Sequence, residues 1–389
     1  MTKEQAYFLR VIKDFLGNEK TIPEKELNWT EIYEIAQKHQ LGGIVFCQCK
    51  AFLPESVRPL FEKAYVACLF YYMAREEALQ RISSTFQEAG IPYFIVKGDE
   101  VAKYYPAPAL RTMGDQDIVI KGEDRQKAND IMLKLGYTKT TYWDNKEMGF
   151  SKDAIGIELH DHLIYEQIIN RTPLEAFFEN YWPYVKDGKL DVSFHFLYLL
   201  LHLRKHFMNS GVGFRMFIDL AVMSAKEPDL DWPWITARLD ELDMLAFASC
   251  CFAFIREWFG IPSPLNEKRL DAGFYEDATA AVFANGVFGY DNKENNINEA
   301  VNVARQGGVP IISMTKRAVS FVFPSYSMMK NNENYHFIKG KAWLLPAAWI
   351  YRIYRAIQMV LGGRRNVLFH FSSSEELKKR DEFLKKWGL

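Results

Sequence analysis

The segment Arg111-Thr112-Met113-Gly114-Asp115-Gln116-Asp117-Ile118-Val119-Ile120 sets two carboxylates, Asp115 and Asp117, at the entrance to an apolar run. Side chains alternate across a strand, so residues i and i+2 project from one face. Two like charges at the mouth of a buried strand repel each other unless something positive lies between them. A divalent metal answers that need, because Mg²⁺ takes oxygen ligands and commonly binds one or two carboxylates plus substrate phosphates.

The neighbouring residues build a compact unit around this pair. Upstream, Ile91-Pro92-Tyr93-Phe94-Ile95-Val96-Lys97-Gly98 reads as a strand that stops at a glycine, and Asp99 to Tyr105 as a short helix with acidic residues in its first turn. The glycine permits close backbone approach, and phosphate is the usual guest of such a strand-to-helix corner. Downstream, Asp124 to Leu135 has the spacing of an amphipathic helix, with Gly136 as its stop. A third strand follows at Ile155-Gly156-Ile157-Glu158-Leu159-His160, where Glu158 and His160 share the face opposite Ile155, Ile157 and Leu159. Glu158 is thereby placed as a third carboxylate, and three carboxylates can hold two metal ions roughly 3.5–4 Å apart for in-line phosphoryl displacement.

Val96-Lys97-Gly98, Arg111 through Asp117, and Ile157-Glu158-Leu159-His160 together resemble the DNA polymerase beta-like nucleotidyltransferase superfamily, in particular its branch of largely uncharacterised bacterial nucleotidyltransferases. A weaker likeness extends through Leu201 to His206 with Arg215 and Asp219, and to Phe323-Pro324-Ser325. The resemblance implies an α+β fold, a small mixed-sheet core flanked by N- and C-terminal helical regions. It also implies that Asp115, Asp117 and Glu158 are the catalytic metal ligands, with Mg as cofactor, two ions, and an NTP as donor. Gly98 matches the phosphate-holding turn, and Lys97 and Arg111 flank it as cations suited to phosphate. This chain has Gly98-Asp99 where the superfamily usually has Gly-Ser or Gly-Gly, so the Asp99 carboxylate must turn away for a triphosphate to sit there.

Composition bounds the rest. The 389 residues are 49% hydrophobic and 15% aromatic, enough for two or three cores. A formal charge of −1 makes a long nucleic acid the least attractive partner, since such binders usually carry a basic balance. Cys47, Cys49, Cys68, Cys250 and Cys251 lack C-x-x-C spacing and read as free thiols of a reducing, cytoplasmic protein. No stretch approaches the roughly 20 apolar residues of a membrane span.

Along the chain, we expect an N-terminal helical region over 1–90, the α/β core over 91–165, a helical region over 166–265, and a mostly helical C-terminal region over 266–389. Asn28 with Glu31 signals a helix start, and a long helix is expected from Pro59 to Gln87. Asp291 to Asn298 reads as exposed loop. His160, beside Glu158, is expected to support a ligand or the fold. His202 and His206 stand one helical turn apart, but Leu203 occupies the position where a zinc protease carries its glutamate; packing near the cleft, with an Arg215–Asp219 ion pair, is the expectation. Trp343 to Arg355 mixes aromatic and basic residues, and reads as a helix packed on the core with its arginines in water, a membrane-surface seat being the alternative.

The resulting expectation is a Mg-dependent nucleotidyltransferase that moves a nucleoside monophosphate from an NTP to a small-molecule or macromolecular hydroxyl acceptor. The alternatives are a metal-dependent glycosyltransferase using a nucleotide sugar, and a catalytically inactive nucleotide- or partner-binding module.

Overall fold

A computed structural model describes residues 1–24, 26–140, 148–164, 173–209, 211–266, 268–287, 326–329, 333–361 and 374–389. Asp291 to Asn298, Phe323-Pro324-Ser325 and Arg364-Arg365 lie outside them. The chain divides into two compact units. The first comprises Met1–Thr141, Lys146–Tyr290 and Leu384–Leu389, and the second Tyr142–Asn145 and Asp291–Phe383.

The first unit opens with four helices, α1 (Lys3–Leu16), α2 (Trp29–Lys38), α3 (Gly42–Cys49) and α4 (Arg58–Glu88). The Asn28 side chain accepts the Glu31 N–H at 3.3 Å, which caps α2. Gly90, at φ +68°, turns the chain out of α4. The α/β segment follows: β1 (Tyr93–Val96), α5 (Gly98–Ala102), β2 (Asp115–Ile120), α6 (Arg125–Lys134), β3 (Thr138–Thr140), β4 (Met148–Lys152) and β5 (Ile155–His160). Its sheet runs β1-β2-β5-β4-β3, with β2 and β5 parallel and every other pair antiparallel.

The period-two alternation splits this sheet into two unlike faces. On one, Ile118, Ile120, Ile157, Leu159, Met148 and Phe150 pack against Leu79, Ile82 and Phe86 of α4 and Ala128 and Met132 of α6. Burying such side chains stabilises by about 1.5–3 kcal/mol each, so this face holds the register. The register in turn puts Asp117 opposite Glu158 on the other face.

Beyond the sheet come α7 (Pro173–Glu179), a two-stranded ribbon of β6 (Val185–Lys186) and β7 (Lys189–Leu190), and the helices α8 (Val192–Asn209), α9 (Phe214–Lys226), α10 (Trp232–Glu241), α11 (Leu245–Phe259) and α12 (Ala272–Asn285). Phe94 of β1 meets Tyr181 and Trp182 edge-on, at centroid distances of 5.8 and 5.4 Å. The last residues belong to this unit too. Trp387 is fully buried and stacks on Phe254 of α11, with centroids 4.5 Å apart.

In the second unit, Met329, Tyr335, Ile338 and Ala348 form a small core, with Tyr326, Leu344, Leu345 and Trp349 packed on it. Its longest described helix is Leu345–Leu361. No helix among the described residues is long and apolar enough to cross a membrane.

Candidate active site

The carboxylates meet where β2 and β5 run side by side. Asp117 pairs with Glu158 and Val119 with His160 in the ladder, so Asp115, Asp117, Glu158 and His160 share one face. His160 Nε2 lies 2.9 Å from Asp117 Oδ1 and 3.5 Å from Glu158 Oε2. Ligand atoms of Asp117, Glu158 and His160 all lie within 4.8 Å of one another, and this is the one such group of metal-ligating side chains among the described residues. Asp115 joins the constellation through a hydrogen bond to Glu158. The tight group therefore includes His160, which the expected metal set omits, while Asp115 stands at the exposed start of β2.

The charges are balanced by the protein itself. Lys97 Nζ donates to Asp117 Oδ1 at 2.9 Å. Asp117 is only 6% exposed; burial alone would raise its pKa, but Lys97 and His160 outweigh that and hold it well below the carboxylate range. Burial works against the positive charge of Lys97, and the attraction of Asp117 reverses the effect, so its pKa is raised. For His160, burial again opposes the charge, and hydrogen bonds to Asp117 and Glu158 push its pKa up to about 9. His160 is thus an imidazolium near neutrality. Desolvation, followed by Glu158 and Asp117, pushes the Asp115 carboxyl up to about 7. Glu158 is lowered: burial raises it, but the hydrogen bond from His160 prevails.

The corner between β1 and α5 is strained. Lys97 takes φ 56° and ψ −126°, a backbone region that costs a side-chain-bearing residue about 1–3 kcal/mol. Its N–H donates to His195 Nε2 of α8 at 2.9 Å, which secures the turn. Gly98 follows at φ +24°, and a Cβ there would stand 2.2 Å from Gln116 Oε1. Gln116 accepts the Asp99 N–H at 3.3 Å, so β2 and the corner are tied together. The Asp99 carboxylate is held by Arg75 of α4, Nε to Oδ1, at 2.9 Å.

Arg111 occupies a different place from the one expected of a phosphate ligand. Its guanidinium forks onto Asp219 of α9, with Nε to Oδ1 at 2.8 Å and Nη2 to Oδ2 at 2.7 Å, and Tyr105 donates to the same carboxylate at 2.7 Å. Arg215, expected to pair with Asp219, instead donates from Nη1 to the Thr112 carbonyl at 3.0 Å. Both arginines thus brace the segment that delivers Asp115.

One face of α8 was only half legible in the sequence. His195, Tyr198, His202 and His206 recur at spacings of three and four, so they form a stripe. Lys97 Nζ lies over the Tyr198 ring at 5.6 Å, which brings that stripe beside the carboxylates. The rings of His202 and His206 are 4.5 Å apart, and no third ligand groups with them among the described residues. Burial, then Lys97, depresses His202, and burial, then Lys205, takes His206 down to about 4. Both are neutral imidazoles at pH 7. The 3–4 spacing of His and Tyr was the available signal; the role of His195 as acceptor for a strained N–H had none.

A cluster of two or three carboxylates beside a strained, glycine-bearing corner can bind a cation and receive a phosphorylated ligand. The family described as uncharacterised nucleotidyltransferases matches residues 25–260. That span includes α2 to α11 and every residue of the cluster. No curated protein matches the chain, and neither does any solved structure.

Proposed function

The chain belongs to this family of uncharacterised nucleotidyltransferases, and from that premise we propose that it transfers a nucleoside monophosphate from an NTP to a hydroxyl acceptor with the help of Mg²⁺. The observation that carries the reading is the convergence of Asp117, Glu158 and His160, with Asp115 bonded to Glu158, next to the Lys97-Gly98 corner.

The donor set fits a divalent cation. Carboxylate oxygens are the ligands Mg²⁺ prefers, and His160 would join them only after giving up the proton it holds near neutrality. Asp117 and Glu158 would hold the ion, with His160 beside them, and Asp115 with Glu158 would serve a second ion. When bound, the cation neutralises charge on the transferring phosphoryl group and orients its oxygens. The chain's own residues supply the rest. Gly98 leaves room for phosphate to approach the backbone, and Lys97 keeps a positive charge at Asp117. Asp115, on the same face as Asp117 and Glu158, is the carboxylate that would accept the acceptor's proton. The acceptor oxygen forms its bond to the α-phosphorus as the bond to pyrophosphate breaks, and pyrophosphate leaves. Arg111, engaged by Asp219, positions the Asp115 segment. The five free thiols fit a cytoplasmic setting, where NTP donors are abundant.

A second reading has a specific observation behind it. Lys97 and His160 already neutralise Asp117, and Gln116 already takes the Asp99 N–H, as in a nucleotide-binding module without turnover.

The deciding experiment measures binding of ATP, CTP, GTP and UTP by calorimetry with and without Mg²⁺, followed by pyrophosphate release with a panel of alcohols, sugars, RNA ends and peptides. Mg²⁺-dependent binding and release, both abolished in Asp117→Asn and Glu158→Gln with folding intact, is the expected result. Tight binding with no pyrophosphate from any acceptor favours the silent module, and a fully active Asp117→Asn enzyme overturns the assignment.

A further inference from the structure

The helix α4 carries a second periodicity that its core contacts do not use. Its inner face is fixed by Phe61, Arg75, Leu79, Ile82 and Phe86, all buried. On the outer face Lys63, Val66, Phe70, Met73 and Glu77 are all exposed. They recur at alternate steps of three and four, the 3.5-residue repeat on which two helices pack seam to seam. Val66 is 55% exposed, Phe70 63% and Met73 70%, and five of the fifteen large apolar side chains exposed among the described residues lie on this one helix. Tyr71 adjoins the ridge, its ring edge-on to Phe70 at 5.7 Å. Single exposed apolar side chains are ordinary on a protein surface, but a contiguous ridge of them marks a contact site.

Charge identifies the occupant. The helix carries four cations, Arg58, Lys63, Arg75 and Arg81, and four acids, Glu62, Glu76, Glu77 and Glu88. It therefore has no positive excess to draw it to an anionic membrane or to nucleic acid. The order of the charges along the seam is more informative. Lys63 lies seven residues before Phe70, and Glu77 seven residues after it. A second copy of α4, laid antiparallel across a twofold axis at Phe70, places Lys63 of each copy against Glu77 of the other. Val66 and Met73 then interleave between these pairs. A parallel pairing instead sets Lys63 on Lys63 and Glu77 on Glu77, which repel. Among the described residues neither Lys63 nor Glu77 has an ion-pair partner within the chain.

We infer that this protein pairs with a second copy of itself through α4, antiparallel about a twofold axis at Phe70, with the seam of Val66, Phe70 and Met73 closed at both ends by Lys63–Glu77 ion pairs. Three apolar side chains from each copy make a short seam, so the dimer is reversible and depends on concentration. The sheet face that packs on α4 is the one opposite the carboxylates. The pairing thus uses no catalytic group and does not depend on the nucleotidyltransferase reading.

The test is analytical ultracentrifugation of the full chain over a concentration series. The wild type passes from monomer to dimer as concentration rises, and Phe70→Glu/Met73→Glu stays monomeric. Lys63→Glu and Glu77→Lys each weaken the dimer on the order of tenfold, because the twofold axis turns two attractive pairs into two repulsive ones. The double swap Lys63→Glu/Glu77→Lys restores it. All four positions are exposed, and matching circular dichroism and melting curves, recorded in the monomer range, confirm that each variant folds. Three outcomes overturn the proposal: a wild type that stays monomeric at its highest soluble concentration, a dimer indifferent to Phe70→Glu/Met73→Glu, or single charge reversals that the double swap does not rescue. A monomeric wild type that floats with phosphatidylcholine vesicles, where Phe70→Glu/Met73→Glu does not, also overturns it and assigns the ridge to lipid.

Discussion

Lys97 and Asp117 form a largely buried ion pair, Nζ to Oδ1 at 2.9 Å, with the lysine on a strained backbone and the aspartate in the carboxylate cluster. Removing one partner of such a pair leaves an uncompensated buried charge, at a cost of about 3–5 kcal/mol. Lys97→Met should therefore unfold at a clearly lower temperature, and Mg²⁺ should recover part of the loss by replacing the missing positive charge. Thermal melts with and without Mg²⁺ check this. A Lys97→Met protein that melts like the wild type would show that Lys97 does not hold Asp117.

The corner itself has a steric signature. Gly98→Ala would drive its Cβ to 2.2 Å from Gln116 Oε1, at a glycine with φ +24°. We expect a loss of about 1–3 kcal/mol from overpacking and a collapse of NTP binding. Gln116→Ala removes the clashing group, so the double variant should regain part of the stability in a double-mutant cycle. Strict additivity of the two changes would mean that the residues do not touch.

Arg111 separates a bracing role from a phosphate role. Its bidentate fork on Asp219 fits guanidinium geometry, which lysine cannot reproduce. Arg111→Lys should lower stability in urea titrations by roughly 1–3 kcal/mol, with KM for the NTP changing only as far as folding does. A variant of undiminished stability with a much raised KM would place Arg111 on the nucleotide instead.

His39 governs part of the acid response. It is fully buried amid the rings of Phe8, Phe214 and Phe283. Burial, then Lys38, lowers its pKa to about 3 from the ordinary 6.5. The folded state excludes a proton that the unfolded chain accepts, so this contribution is fully present above pH 6.5. It declines as pH falls from 6.5 toward 3, by up to about 1.4 kcal/mol per pH unit. His39→Phe should flatten the stability profile in that window while leaving the neutral-pH stability equal or higher. An unchanged slope in His39→Phe would assign the acid response to other groups, of which His195, also taken down to about 3 chiefly by burial, is the first.

How much of this could be read beforehand follows from what is local. The strand period is a property of the backbone, so the shared face of Asp115 and Asp117, and of Glu158 and His160, was legible from alternation alone. The long helix read as Pro59 to Gln87 appears as Arg58–Glu88 for the same reason: helix punctuation is local. The C-terminal Lys385-Lys386-Trp387-Gly388-Leu389 carries no such signal. Yet Trp387 is buried against Phe207, Phe254 and Phe274.

The sequence by itself determined which side chains share a face, where the chain turns, and that acidic groups would stand at the end of a buried strand. Only the tertiary structure decided what neutralises them. Lys97 reaches Asp117 because β1 and β2 pair Val96 with Asp117. Asp219 takes Arg111 rather than Arg215, and His195 accepts the strained Lys97 N–H from a helix far along the chain. Periodicity is fixed residue by residue, whereas the pairing of buried charges depends on register and packing between distant segments, which the burial of the whole core selects.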